Sequence, residues 1–64
     1  SMAKSNKPRF GIFYKSHGKW TGPYEGVSFT SYTLNRRPVR DDIEWLRREV
    51  LKSPIQLRQV KSAK

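Results

Sequence analysis

This sequence predicts an α+β fold: a three-stranded antiparallel β-meander packed against one α-helix, with a short C-terminal strand or extended tail. Three stretches carry that expectation. Residues 9–24, RFGIFYKSHGKWTGPY, hold five of the eight aromatics and a turn signal between two strand-like runs, the pattern of a β-hairpin. Residues 27–34, VSFTSYTL, alternate at period two and are rich in β-branched and aromatic residues, as a third strand requires. Residues 41–52 set Ile43, Leu46 and Val50 at three- and four-residue spacing, which gathers them on one helix face.

Residues 1–8 are polar and basic with nothing to bury, and read as a disordered arm; Ser1 ahead of Met2 looks like a remnant of expression. In the hairpin, the loop decides which aromatics share a face. A three-residue loop, Ser16-His17-Gly18, closes on a glycine in the left-handed conformation and is the favoured choice. It sets Trp20 across from Tyr14, on a core face with Phe10 and Ile12. Arg9, Gly11, Phe13, Lys15, Lys19 and Thr21 then face outward. A two-residue loop at His17-Gly18 ranks second because His17 would also need positive φ; it carries Trp20 to the Phe13 face, since a one-residue shift exchanges faces.

Pro23 ends the second strand, having no N–H for a ladder. In the third, Val27 and Phe29 share one face while Tyr32 and Leu34 share the other, which calls for a covering segment or a bulge. Residues 35–40 form a loop. Asp41 with Glu44 three residues on matches a capping box, so the helix is expected from position 41 to about 52, ended by Ser53-Pro54. Glu44 and Arg48 make a favourable i,i+4 pair. Residues 55–60 form a short extended run with Ile55 and Leu57 on one side, a fourth strand at a sheet edge, and residues 61–64 a frayed basic tail. Residues 9–60 are thus one domain, with a core drawn from Phe10, Ile12, Tyr14, Trp20, Val27, Phe29, Ile43, Leu46, Val50, Ile55 and Leu57.

A chain of 64 residues buries only about 60% of its unfolded surface, so stability is modest. No cysteine is present, which removes disulfides and thiolate metal sites and fits an intracellular, cytoplasmic setting. No apolar run approaches the roughly 18 residues that cross a bilayer, so no membrane partner is expected. Fourteen Lys and Arg against five acids give +9. Four of the acids fall between positions 41 and 49, so the helix is nearly neutral. The positive field comes from the hairpin, the loop before the helix and the tails, and attracts polyanions or acidic protein surfaces.

An enzyme is not expected. His17 is the only histidine and reads as a polar turn residue at a hairpin tip. Capping accounts for most of the Asp41, Asp42 and Glu44 cluster, so neither a metal nor another cofactor is expected. Gly18, Gly22 and Gly26 precede no strand-to-helix switch and mark turns, not a phosphate loop. Nucleic-acid binding, to DNA or RNA, is the leading reading: it needs cations on one surface with an exposed aromatic beside them, which Arg9, Phe13, Lys15 and Lys19 supply and Arg36, Arg37 and Arg40 extend. The alternative is an adaptor or modulator that docks on an acidic partner or through Trp45. That residue lies off the Ile43, Leu46, Val50 stripe, with Leu51 on the opposite flank, and the pair fits a protein interface or homodimer.

Three strands followed by a helix, with Gly18, Lys19 and Trp20 in the second strand, resemble the plant and phage-integrase arm-binding domains that read DNA with their sheet. The likeness spans about the first fifty residues and lacks those families' strand arginines and alanine-rich helix, so what it implies is an analogy of fold.

Overall fold

In the computed structural model, which describes residues 7–61, every strand pairs with β1 (Arg9–Ser16). All pairings are antiparallel: β2 (Lys19–Thr21) with its far end, β3 (Ser28–Phe29) near its start, and β4 (Ile55–Val60) along six residues. Phe10 pairs with both Phe29 and Gln59, and Tyr14 with both Thr21 and Ile55. A residue has one partner per edge, so β2 and β3 lie end to end along one edge of β1, and β4 takes the other. The fold is α+β, an open antiparallel sheet with one main helix and a C-terminal strand, as the sequence leads one to expect. The arm and tail expected at the two ends lie outside the described residues apart from Lys7, Pro8 and Lys61.

The hairpin closes by the tighter of the two loops. Ser16 pairs with Lys19, and His17 (φ 54°) and Gly18 (φ 79°) are both left-handed, the type I′ pattern. That turn follows the right-handed twist of its strands, whereas a wider loop would need a bulge. Matching the twist outweighs the strain of left-handed His17, about 1–2 kcal/mol. The register therefore differs from the expected one. Lys15 faces Trp20, which puts Trp20 on the Phe13 face and not with Phe10, Ile12 and Tyr14.

Between β2 and β3 the chain leaves the edge in an excursion built on a 3-10 turn, Tyr24–Gly26, closed by bonds from the Gly26 and Val27 N–H groups to the Pro23 and Tyr24 carbonyls (3.1 Å each). Gly22 begins the excursion pressed against β1. A methyl group there would lie 2.8 Å from the Ile12 carbonyl oxygen and 2.9 Å from the Phe13 ring. Arg9 ties down the other end, its Nε donating to Ser28 Oγ (2.6 Å) and its Nη2 to the Ser28 carbonyl (2.8 Å).

The third strand stops at Phe29, short of the expected eight residues. Thr30 is the reason: its Oγ1 accepts the Thr33 N–H (3.2 Å) and caps a single helical turn, α1 (Ser31–Leu34). This cap, and not a bulge, explains why Tyr32 and Leu34 left the face of Val27 and Phe29. A second helix, α2 (Arg37–Trp45), runs on without a break into a π-helical segment, Leu46–Leu51.

Helix α2 starts one turn before the expected Asp41 cap. Pro38 occupies its first turn, where a missing N–H costs nothing, and Arg36 is the N-cap without a side-chain bond. Glu44 is drawn elsewhere: it is hydrogen-bonded and ion-paired with Arg47 and lies 3.6 Å from Arg48 Nε. The Arg47 bond, helped by both positive charges, holds the Glu44 carboxyl below its ordinary pKa. At the far end the Lys52 N–H reaches back five residues to the Arg47 carbonyl (2.9 Å). The wider π turn advances the inward position by one residue. Leu51 is half-buried as a result, whereas Val50, the expected core residue, is 45% exposed.

Ile12, 3% exposed, is the only buried apolar side chain among the described residues. Phe10, Tyr14, Phe29, Ile43, Leu46 and Ile55 are half-buried, while Val27 and Leu57 are exposed, contrary to their expected place in the core. Phe10 and Leu57 line an open groove of about 670 Å³ with Tyr32 and Leu34 of α1, so α1 lies on the Phe10 side of the sheet. Among the described residues, no helix is long and apolar enough to cross a membrane.

Candidate nucleic-acid interface

Strand alternation assembles the opposite face. Arg9, Phe13 and Lys15 of β1 point the same way; Trp20 stands across from Lys15 on β2, and Gln56 and Arg58 stand across from Phe13 and Gly11 on β4. Three neighbouring strands thus put two rings and two cations side by side. The Arg58 guanidinium sits 4.8 Å from the centre of the Phe13 ring and 5.3 Å from that of Trp20. Lys15 Nζ is 5.5 Å from the Trp20 ring. Gln56 Oε1 accepts from Arg58 Nε (2.9 Å), which leaves the outer guanidinium nitrogens directed elsewhere. Cation–ring contacts at exposed sites contribute about 0.5–1 kcal/mol each.

The seven residues expected to hold nucleic acid do not form one patch. Phe13 and Lys15 belong to this face, but Phe13 is half-buried, with a guanidinium over its ring and Gly22 against it, and is not the bare stacking ring expected. Arg9 is half-buried and bound to Ser28, where it joins two strands. Lys19 pairs with Ser16 and so points to the other side. Arg36, Arg37 and Arg40 cap or open α2, directly after α1 on the Phe10 side, and do not extend the Phe13 face. Of the two protein-interface candidates, Trp45 is 55% exposed and Leu51 half-buried.

Trp20 and Arg58 are the members that sequence reasoning missed. For Arg58 the signal was present: with Ile55 and Leu57 on one side of β4, alternation puts Gln56 and Arg58 on the other. For Trp20 it lay in the second-ranked loop.

Residues 37–51 carry four arginines and four acids, so the helix adds no net charge to either face. His17 stands exposed at the hairpin tip, its Nδ1 3.3 Å from Ser16 Oγ. Among the described residues, no three His, Cys, Asp or Glu side chains come together as metal ligands would. Comparison with protein-family models, with curated proteins and with solved structures finds no match to this chain.

Proposed function

We propose that this chain is a small, non-enzymatic nucleic-acid-binding module that grips its ligand with the Phe13 face of the sheet. The observation that carries the reading is the alternation of cation and ring across three strands: Lys15, Trp20, Arg58, Phe13. Cations neutralise phosphates and release counterions, while Trp20 and the guanidinium plane offer stacking surface to bases, and here the two kinds of group lie side by side. The net charge of +9 adds long-range attraction for a polyanion.

An amide chemical-shift titration with short oligonucleotides at low salt tests it. Shifts are expected at Lys15, Trp20, Gln56 and Arg58, and Lys15→Gln or Arg58→Gln should each reduce the salt dependence of binding by about one phosphate contact. Shifts confined to residues 37–51, or none at all, would remove the reading. A second reading, a protein adaptor or homodimer, is favoured by one observation: the Trp45 ring, 55% exposed on the helix.

A further inference from the structure

Resting on that reading of the Phe13 face, we propose that the ligand is single-stranded, with an unpaired base stacked on the Arg58 guanidinium where it bridges Phe13 and Trp20. The same guanidinium lies 4.8 Å from one ring centre and 5.3 Å from the other, so it is backed by aromatic surface from two different strands. Its Nε is committed to Gln56 at 2.9 Å, which fixes the plane and leaves the outer nitrogens for a base edge or a phosphate. A flat, pre-positioned cation of this kind is a stacking surface for a nucleobase.

A duplex uses only part of it, its phosphates and base edges meeting the outer nitrogens. Paired bases offer only their edges to the grooves and keep their faces stacked on one another, so a double helix on this surface would meet the cations and leave the ring-backed plane idle. An unpaired strand presents base faces and phosphates in alternation, which is the order in which the sheet presents rings and cations. Lys15, on the central strand and 5.5 Å from Trp20, is placed for the adjoining phosphate. Rigidity favours the same ligand: Phe13 is backed by Gly22, and both rings rise from paired strands and not from loops, so little side-chain freedom is lost when a base settles on the guanidinium they back.

The experiment is fluorescence anisotropy at low salt with a labelled oligothymidine, an oligouridine of the same length and a duplex of the same length, for the unaltered chain and for Arg58→Lys. Lysine keeps the charge and loses the plane. Binding of the single strands is expected to be about tenfold tighter than of the duplex and to weaken several-fold in Arg58→Lys, with a smaller loss for the duplex. The two single strands show whether the sugar matters; a preference for either supports the proposal. Duplex binding as tight as single-strand binding, or Arg58→Lys without effect on the single strands, overturns the proposal while leaving the nucleic-acid reading in place. No binding to any of the three overturns both.

Discussion

Gly22 bears more of the fold than its size suggests, because the backbone of β1 and the ring of Phe13 both close on it. Its φ of 154° and the 2.8 Å approach to the Ile12 carbonyl leave no room for a methyl group, and a carbonyl in a paired strand cannot step aside. Gly22→Ala is therefore expected to lower stability by about 1–3 kcal/mol in urea denaturation. A loss below about 0.5 kcal/mol would show that the excursion is looser than the geometry implies. Residues at this scale are also where the sequence was hardest to read. Whether His17 takes a left-handed conformation depends on the twist of the whole hairpin, which no single-residue preference contains, and that one choice carried Trp20 from one face to the other. Arg9 is a similar case: its charge is visible in the chain, but the two bonds to Ser28 that occupy it depend on residues 19 positions apart.

Among the elements, the hairpin, the main helix and the C-terminal strand were legible from periodicity, since each has enough residues for a pattern to repeat. What failed were boundaries decided by a single side chain. Thr30 turned a β-branched run into a helical turn with one hydroxyl, and Pro38 gave α2 an earlier start than Asp41 could. The π-helical segment could not be anticipated from a 3.6-residue template, because it changes the period itself. It also makes a clear demand. Leu51→Ala should cost about 1–2 kcal/mol by chemical denaturation and Val50→Ala less than about 0.5 kcal/mol. Equal costs, or the reverse order, would mean that the helix keeps an ordinary α register in solution.

At the scale of the molecule, a single buried apolar side chain among the described residues and a charge of +9 describe a domain close to the lower limit of stability. Length and composition announced the charge and the modest stability, but not a core reduced to Ile12. They did not announce that Tyr32, Val50 and Leu57 would stand exposed beside the expected Trp45, because which surfaces a short chain leaves uncovered depends on where its one helix lies. If Trp45 anchors a second copy, sedimentation equilibrium shows a dimer that Trp45→Ala returns to monomer with an unchanged circular-dichroism spectrum. An unaltered chain that stays monomeric at NMR concentrations removes the homodimer. The longest ladder has one more consequence. Arg9 and Val60 face each other across β1 and β4, so the domain enters and exits at a single corner, with the two backbones about 5 Å apart. Such a unit can be grafted into a surface loop of a host protein without prising it open. It can equally be joined head to tail by a brief linker and reopened between His17 and Gly18, rearranging the order of the chain while keeping every strand with its neighbour.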